Sequence, residues 1–520
     1  MMSEKMADSH TESISSFYAG RSILVTGGTG FMGKVLIEKL LRSCPEIREI
    51  FLLMRPRKGT AIDDRLKQMI QNPLFDILRE SNPTVFEKLI AINGDMSLQE
   101  LGILPEDKQV IIERVSVVFH VAGNVRFDNN LKGHILTNTL STNTLCLLAE
   151  NIKHLVAFVH VSTAYAQCDK QKIEEIEYPA DTDWRKTVKV VESIDEKTLM
   201  ILGQKYSGIM PNTYTFSKRL AENVLSEYSK RLPIVLLRPS IVVGVDREPI
   251  PGWVDSFQGQ TGLMAGFFKG FLRVLLADGD VMLDDMPVDV AIKIIIAAAW
   301  KRGRETLHAN PEIAVYNCTA AAVKGVSLRK ITATGKIIFA KYPLFPCVWY
   351  PGVFIIRSPF LYSIMAVILH LIPATVFDFL LKLCGRKPML SKLQIIIQGI
   401  AMSLQYFTLH HWNFRNDKGM KLLDEQNKRD DGFGYDMMNL DEINFIRYTI
   451  YGIGKFLLRE DVTKLKRASI GQINRMWWLD KIVQVLLFCL FTWILHKCGL
   501  FNHFINLIPG IPNVLVFDKF

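Results

Sequence analysis

The sequence of 520 residues predicts an α/β fold: a doubly wound parallel sheet followed by a mainly helical domain and an apolar tail. From about residue 20 to 310, short and continuously apolar runs alternate with helical patterns, which is typical of parallel strands covered by helices on both faces. From about residue 360 to 460 the pattern is largely helical, and an apolar stretch at about 482–500 follows. The expected segments are a disordered N-terminus (1–16), the sheet domain (17–310), a proline-containing junction (311–359), the helical domain (360–460) and the tail (461–520).

The first strand, predicted at residues 23–25, leads into a glycine-rich loop at residues 26–33. In this loop Gly27 allows a sharp turn, Gly30 allows the backbone to approach a pyrophosphate, and Gly33 allows the next helix to pack on the strand. That helix then presents unpaired N–H groups and a positive dipole end to the phosphates. We expect a Rossmann-type dinucleotide site, whose loop residues are Thr26, Gly27, Thr29, Gly30, Phe31, Met32 and Gly33.

The later strands end at residues that would line the same groove, because ligands bind at the carboxyl ends of strands in open α/β sheets. The strand predicted at residues 50–54 is followed by Arg55, in a basic segment without an acid. Arginine accommodates the 2′-phosphate of NADP, so we expect NADPH as the cofactor. Asp95 follows the next strand and is expected to bond the adenine. The other expected groove residues are Ala122, Gly123, Asn138, Pro239 and Ile241.

Tyr214 and Lys218 are four residues apart, a spacing that places both side chains on one face of a helix. A lysine cation and the positive nicotinamide ring of an oxidised cofactor both favour the phenolate. We therefore expect the pKa of the Tyr214 phenol to lie below its usual value of about 10. The phenol would donate a proton to a carbonyl oxygen as hydride reaches the carbon. Both residues would also contact the cofactor, and Asn138 would brace Lys218 through water.

Two adjacent hydroxyl groups follow the strand predicted at residues 155–161, at the edge of the sheet where ligands bind. Thr163 is expected to hold the substrate oxygen beside the phenol of Tyr214. Ser162 is the competing candidate, because the alternation of side chains along a strand does not decide between the two residues. Together with Lys218, the chosen hydroxyl would complete a catalytic triad.

The composition of the chain indicates which classes of binding partner it favours and which it excludes. The net charge of +10 favours anionic partners such as NADP, coenzyme A or a negatively charged membrane surface, and the sequence shows no nucleic-acid-binding motif. The eight cysteines form no C-x-x-C pair, which suits a reducing compartment. No metal site is expected, because His410 and His411 have no carboxylate or cysteine at metal-ligand spacing. No cysteine lies in a nucleophile motif, so reduction of a thioester would require direct hydride attack.

Two apolar stretches bear on membrane attachment. Residues 360–372 are predicted to form a helix that ends near Pro373, and its shortness favours a buried core helix over a span. Residues 482–500 come close to the length of about 20 residues that a span requires. We expect this second stretch to attach the chain to a membrane as a tail anchor, a hairpin or an interfacial helix. Because the N-terminus lacks the apolar core of a signal peptide, the catalytic domain is expected on the cytosolic side of the endoplasmic reticulum or peroxisome membrane.

With these motifs in place, the sequence resembles an extended short-chain dehydrogenase and, more closely, an animal-type fatty acyl-CoA reductase. The segments that are similar to that family are residues 17–27, 211–218, 237–242, 251–253, 406–408, 412–414 and 451–455. They span about residues 17–460, so the resemblance includes the helical domain. The sequence departs from the family pattern at Ser256 and Gln260, where asparagine and proline are expected, and at residues 441–444, which lack a tryptophan.

The resemblance implies a substrate and a reaction. NADPH would reduce a long-chain fatty acyl-CoA to an aldehyde with release of coenzyme A, and a second hydride would give the fatty alcohol. The resemblance leaves the acyl chain length open and is compatible with an oligomer. Two other functions remain as alternatives at this point: a membrane-associated dehydrogenase acting on a sterol or another lipid carbonyl, and a catalytically inactive lipid-binding protein.

Overall fold

The computed structural model describes residues 12–57, 59–128, 130–305, 307, 310–343, 347–429, 432–461 and 468–497. Most of the N-terminal segment expected to be disordered, residues 1–11, lies outside the described residues. The rest of that segment is ordered, since the helix Ile14–Tyr18 begins within it and Ile14 is buried. Ser13 caps this helix by accepting a hydrogen bond from the backbone N–H of Ser16.

The centre of the fold is a parallel sheet of seven strands, which confirms the predicted fold class. In chain order the strands are β1 (Ser22–Thr26), β2 (Glu49–Met54), β3 (Leu89–Asn93), β4 (Val115–His120), β5 (Ala157–Val161), β6 (Ile234–Pro239) and β7 (Ala314–Cys318). Their order across the sheet is β7-β6-β5-β4-β1-β2-β3. The order reverses between β1 and β4, and a ligand groove forms at such a point.

Helices cover both faces of the sheet, and this explains why most of its strands are buried along their whole length. One face packs against Phe31–Ser43 and Val288–Gly303, and the other packs against Ser141–Ala149 and Thr213–Tyr228. The remaining helices of this part are Ile62–Ile70, Asp76–Ser81, Pro105–Arg114, Leu131–His134, Trp184–Ser193, Glu196–Tyr206 and Gln260–Phe268.

The sheet domain extends beyond residue 310, where the sequence placed its end. Strand β7 pairs with β6 and closes one edge of the sheet, and its Asn317 is buried. The buried carboxylate of Glu175 joins this strand to the helical domain. Its Oε1 accepts hydrogen bonds from the backbone N–H of Asn317 and Gly419, both at 3.1 Å, and its Oε2 accepts one from the N–H of Lys418 at 2.6 Å. The two domains therefore share a polar core.

The C-terminal part is mainly helical, as the sequence predicts. Its helices are Ala321–Lys324, Leu328–Lys341, Pro359–Ala366, Ile372–Leu383, Leu390–Leu409, Asp417–Asn427, Glu442–Gly452 and Ala468–Lys497. By length and composition, two stretches of 25 and 24 residues, Pro359–Leu383 and Gly471–Ile494, are apolar enough to cross a membrane. The end of the expected tail segment, from residue 498 onwards, lies outside the described residues.

The prediction for residues 360–372 is wrong in two respects. The helix does not end near Pro373, because a wide π-helical turn at Val367–Leu371 precedes the proline and the helix continues to Leu383. A π-helical turn accommodates proline, whose missing N–H and bulky ring normally end a helix. The helix is also mostly exposed rather than buried in a core, with Phe360 76% exposed.

Candidate active site

A cavity of about 1370 Å³ lies above the carboxyl ends of the central strands and reaches into the helical domain. Its wall includes Gly27, Gly30 and Met32 of the glycine-rich loop at one end, and Thr163 and Tyr214 near the middle. At the other end the wall is apolar, and it includes Leu263, Met264, Phe267, Ile396, Ile400 and Leu404. The cavity thus places polar, proton-bearing side chains between a dinucleotide loop and an apolar chamber.

The glycine-rich loop has no space for side chains at two of its glycines. Gly27 has a φ of 76°, and a Cβ there would lie 2.6 Å from the backbone nitrogen of Ala122. A Cβ at Gly33 would lie only 2.2 Å from the backbone oxygen of Gly27. Gly30 is the N-cap of the helix Phe31–Ser43, whose first turn has no acidic residue. The free N–H groups of that turn are available to a phosphate.

The phenol of Tyr214 is half-buried in the cavity wall and hydrogen-bonds the side chain of Thr163. Asn212 holds the start of its helix by accepting a hydrogen bond from the N–H of Thr215 at 2.9 Å. Burial raises the pKa of Tyr214 to about 12, which is opposite to the lowering expected from the sequence. Loss of hydration outweighs the hydrogen bond from Thr163, which lowers the pKa. The phenol is therefore neutral in this structure and is a proton donor.

Lys218 is buried on the same helix and donates a hydrogen bond from Nζ to the backbone oxygen of Val161 at 2.8 Å. This contact ties the lysine to the end of β5, two residues before Thr163. Burial lowers the pKa of Lys218 to about 8, and the nearby carboxylate of Glu222 acts in the opposite direction. Its ammonium group is consequently close to its titration range at neutral pH.

Ser162 and Thr163 face different partners, which separates the two hydroxyl candidates. Ser162 donates a hydrogen bond to Oε1 of Glu222 at 2.6 Å, whereas Thr163 bonds Tyr214. The same carboxylate binds Arg238 through two hydrogen bonds, Nε to Oε1 at 3.0 Å and Nη2 to Oε2 at 2.8 Å. Gln167 donates to Oε2 at 3.0 Å. Ser162 also lines the cavity, but this buried network holds its hydroxyl on Glu222. Sequence reasoning did not find Glu222 or Gln167.

Thr26 points away from the cavity. Its hydroxyl bonds Nδ1 of His120 at 2.8 Å and accepts a hydrogen bond from the N–H of Ala122 at 3.3 Å. Nε2 of His120 bonds Thr142 at 3.1 Å, and burial lowers the pKa of this histidine to about 3. A neutral histidine thus connects β1 and β4 beneath the loop, and Thr26 supports the loop from behind.

Gly123 separates Lys218 from Asn138. A Cβ at Gly123 would lie 3.2 Å from Nζ of Lys218 and 3.3 Å from Oδ1 of Asn138. Asn138 lies in a π-helical turn, accepts a hydrogen bond from the N–H of Asn124 at 2.7 Å, and donates one to Ser217 at 2.9 Å. The structure therefore places Asn138 near Lys218, as the sequence suggested.

Three arginines cluster after β2. The side chain of Arg55 is 69% exposed and lies 4.0 Å from Oδ2 of Asp95, while Arg57 lines the cavity. Arg65, on the next helix, donates a hydrogen bond to the backbone oxygen of Arg55. Burial and the charges of Arg57 and Arg55 lower the pKa of Arg65. Asp95 lies beside Arg55 alone, so the cluster keeps a positive charge that suits a phosphate. No sequence pattern marks Arg65, because it lies on a separate helix.

His411 has a carboxylate partner that its sequence neighbours did not show, since its Nε2 lies 3.3 Å from Oδ2 of Asp278. His410 bonds the backbone oxygen of Tyr406 instead, through Nδ1 at 2.8 Å. Within the part of the chain that the structure describes, no group of three or more histidine, cysteine, aspartate or glutamate residues could hold a metal ion.

The chain is similar to known proteins over most of its length. Two family models, both described as male sterility protein, match residues 25–295 and 369–460. Fatty acyl-CoA reductase 1 of Pongo abelii is 36% identical over 457 residues, which cover 88% of each chain. Fatty acyl-CoA reductase wat of Drosophila melanogaster is 34% identical over 481 residues, which cover 92% of each chain.

The chain belongs to the fatty acyl-CoA reductase family. Solved structures show the same fold in other proteins. The terminal R domain from the myxalamid PKS-NRPS biosynthetic pathway superposes with a TM-score of 0.55 at 18% identity, covering 86% of this chain and 96% of that one. The reductase domain of a nonribosomal peptide synthetase from Mycobacterium tuberculosis also has a TM-score of 0.55 at 18% identity, with 87% and 96% covered.

In this member of the fatty acyl-CoA reductase family, the structure brings most of the sequence-predicted residues to the cavity. Those in its wall are Gly27, Thr29, Gly30, Phe31, Met32, Gly33, Gly123, Thr163, Tyr214, Pro239 and Ile241. Lys218 and Asn138 lie directly behind that wall. Thr26 and Ala122 bond each other beneath the loop, and Arg55 and Asp95 pair outside the cavity.

Proposed function

We propose that the protein reduces long-chain fatty acyl-CoA to fatty alcohol in two NADPH-dependent steps. The observation that carries this proposal is the cavity, which joins a dinucleotide loop, the Thr163–Tyr214 pair and an apolar chamber. A sterol dehydrogenase would also use the tyrosine and lysine, but the match to the fatty acyl-CoA reductases over 88% of the chain favours an acyl thioester.

NADPH, when bound along the glycine-rich loop, supplies the hydride for each step. Tyr214, held neutral by burial, donates its proton to the carbonyl oxygen of the thioester, and Thr163 orients that oxygen by a hydrogen bond. As the carbon–sulfur bond of the resulting hemithioacetal breaks, its hydroxyl proton returns to the Tyr214 phenolate, and coenzyme A leaves as a thiolate that takes a proton from water. This gives the aldehyde and restores the phenol of Tyr214. In the second reduction Thr163 orients the aldehyde oxygen in the same way, and Tyr214 donates a proton to it.

Lys218 assists the proton transfer from Tyr214 through its positive charge. Its ammonium group sits at the end of β5, held by the backbone oxygen of Val161 at 2.8 Å, and favours the phenolate that forms as Tyr214 loses its proton. Asn138 and Gly123 fix the space around that ammonium group. Lys218 is therefore needed in its charged form, although burial opposes that form.

The preference for NADPH rests on the arginine cluster. Arg57 lines the cavity and Arg65 lies behind it, while the exposed Arg55 is available to turn from Asp95 towards a phosphate. Guanidinium groups bind phosphate through paired, charge-assisted hydrogen bonds. The 2′-phosphate of NADPH would neutralise part of this cluster, and NADH has no such group.

The assay that tests the proposal incubates the purified chain with palmitoyl-CoA and NADPH and measures hexadecanol and free coenzyme A. We expect two NADPH consumed and one coenzyme A released for each hexadecanol formed. A folded, NADPH-binding protein that turns over none of a series of acyl-CoAs would contradict the proposal. Turnover of a sterol ketone alone would favour the other dehydrogenase function.

We also propose that the reductase works at a membrane with its catalytic domain in the cytosol, at the endoplasmic reticulum or the peroxisome. The two apolar helices support the attachment, and the lipid nature of substrate and product gives it a purpose. Fractionation of cells that express the tagged chain, with marker proteins for both organelles, tests the location.

A further inference from the structure

The helix that runs from Pro359 to Leu383 is bound to the rest of the protein along one narrow stripe. The buried residues of that stripe are Tyr362, Ala366, His370 and Ala374. They are four positions apart and therefore share a face of the helix. Tyr362 and Ala366 pack against the strand Val274–Leu276 of the catalytic part. The helix is consequently fixed to the domain and does not project from it as a free span.

The other faces of this helix are apolar and exposed. Phe360 is 76% exposed, Phe379 61% and Leu383 68%. Further exposed apolar residues on it are Leu361, Ile364, Ile372, Val376, Phe377 and Leu380. Soluble proteins rarely leave so large a contiguous apolar surface in water, and such surfaces mark contacts with membranes or other proteins.

Arg273 joins this helix to the second apolar helix, Ala468–Lys497. Its backbone N–H donates to Nε2 of His370 at 2.8 Å, and its guanidinium donates from Nη2 to Oδ1 of Asp480 at 2.7 Å. Trp349 donates to the same oxygen at 2.6 Å. Because one residue holds both helices, the two apolar surfaces lie on the same part of the molecule. We call them together the docking face: the exposed residues of Pro359–Leu383 and of Ile482–Ile494.

Charge and aromatic residues at the edges of the docking face favour a lipid bilayer over a protein partner. The exposed basic residues in the last turn of the first helix and after it are Lys382, Arg386, Lys387 and Lys392. The acid within this segment, Asp378, caps the next helix by accepting from the backbone N–H of Met389, Leu390 and Ser391. Trp477 and Trp478 precede the apolar part of the second helix. Anionic headgroups attract such basic residues, and tryptophan concentrates at the membrane–water interface.

The cavity opens beside this face. Ile396 and Gly399, on the adjacent helix Leu390–Leu409, line the cavity and are also exposed. A Cβ at Gly399 would meet no atom within 4 Å. An acyl chain lying in the outer part of a bilayer would reach the apolar chamber through this opening without crossing water.

We propose that the docking face lies in the plane of a membrane, with the helix Pro359–Leu383 immersed sideways in the headgroup and upper acyl region. This goes beyond attachment by the C-terminal tail, because it sets the orientation of the catalytic domain. Delivery of acyl chains past Gly399 rests on the proposed function, whereas the immersion of the helix does not.

The test uses the full chain reconstituted in vesicles of four parts phosphatidylcholine to one part phosphatidylserine. Cys384, Cys489 and Cys498 are replaced by serine, the first two because they are exposed and Cys498 because it lies outside the described residues. An environment-sensitive NBD label is then placed at Phe379→Cys. The matched control is Ile201→Cys, which is 79% exposed on a helix of the sheet domain.

We expect the label at 379 to emit at shorter wavelength and to be quenched by doxyl-labelled lipids, and the label at 201 to show neither effect. Equal and weak quenching at the two positions would overturn the proposal. A wavelength shift at 379 without lipid quenching would also overturn it, because a protein partner or a second copy would then cover the face. Neither readout requires catalysis, so failure here leaves the proposed reaction unaffected.

Discussion

Nζ of Lys218 donates a hydrogen bond to the backbone oxygen of Val161 at 2.8 Å. The carbonyl group holds the ammonium at the end of β5. Preorganised charge of this kind lowers the cost of reaching the transition state, because nothing has to reorient during the reaction. It also means that the structure bears the cost of a buried charge at all times.

Replacement of Tyr214 by phenylalanine is expected to remove the proton donor and little else. Turnover of palmitoyl-CoA should fall by about 10²- to 10⁴-fold, the usual contribution of a positioned acid. NADPH binding, measured by fluorescence titration, should change little. Tyr206→Phe is the control, since its hydroxyl bonds Thr187 at 3.3 Å away from the cavity. Retained turnover in Tyr214→Phe would show that another group supplies the proton.

The activity should depend on the charge of Lys218. Because its pKa is about 8, kcat/KM for reduction should fall as the pH rises through about 8 and the ammonium loses its proton. Glu222 raises this pKa, so Glu222→Gln should move the fall to lower pH. The measurement is the pH profile of both proteins, with unfolding temperatures to confirm folding. An unchanged pH profile in Glu222→Gln would show that Glu222 does not raise the pKa of Lys218.

Lys218→Met should inactivate the protein and stabilise it. The folded state lowers the lysine pKa from 10.5 to about 8, so the unfolded state binds more protons between these values and wild-type stability rises with pH across this window. Below pH 8 the folded state bears the full free-energy cost of keeping the buried Lys218 charged. Allowing for the lost hydrogen bond, methionine should raise the free energy of unfolding by about 2 kcal/mol there. Denaturant titrations at neutral pH and near pH 10.5 should show that advantage shrinking.

Gly123→Ala should disturb the lysine without unfolding the chain. The added Cβ would press on Nζ of Lys218 at 3.2 Å and on Asn138 at 3.3 Å, so the ammonium must shift. Small displacements of a catalytic group cost about tenfold to hundredfold in rate. Gly471→Ala is the control, since its Cβ meets nothing within 4 Å. If Gly123→Ala has wild-type kcat, the position of Lys218 is less critical than we propose.

The arginine cluster should decide between the two nicotinamide cofactors. Arg57→Ala and Arg65→Ala should each raise KM for NADPH about tenfold, the effect of losing one charged hydrogen bond, and should leave KM for NADH nearly unchanged. Arg48→Ala serves as the control, because Arg48 has a side chain that is 60% exposed and does not line the cavity. Equal effects on both cofactors would mean that the cluster does not bind the 2′-phosphate.

Local patterns predicted the sheet and the glycine-rich loop well, because continuous apolar runs and glycine spacing are properties of short segments. Such patterns do not decide between Ser162 and Thr163. The choice depends on Glu222, a residue 60 positions away that receives the Ser162 hydroxyl. Arg65 was missed for a similar reason, since only the fold brings its helix beside Arg57.

The helix through Pro373 shows a different limit. Proline normally ends a helix, so the sequence alone predicts an end near Pro373. The π-helical turn at Val367–Leu371 removes the conflict, and His370 within this turn is buried against the domain. The direction of the Tyr214 pKa was also missed, because the depth of burial that raises it is a property of the folded chain.

The carboxylate of Glu175 has a consequence for chimaeric enzymes. Its partners across the domain joint are backbone N–H groups of Lys418 and Gly419, which every residue except proline provides. The contact with Glu175 is therefore indifferent to most side chains at position 418, although Gly419 must stay small because a Cβ there would lie 3.0 Å from the backbone oxygen of Asn317. A helical domain from a relative could be grafted onto this sheet domain to exchange the wall of the apolar chamber while keeping Tyr214 and Lys218 in place.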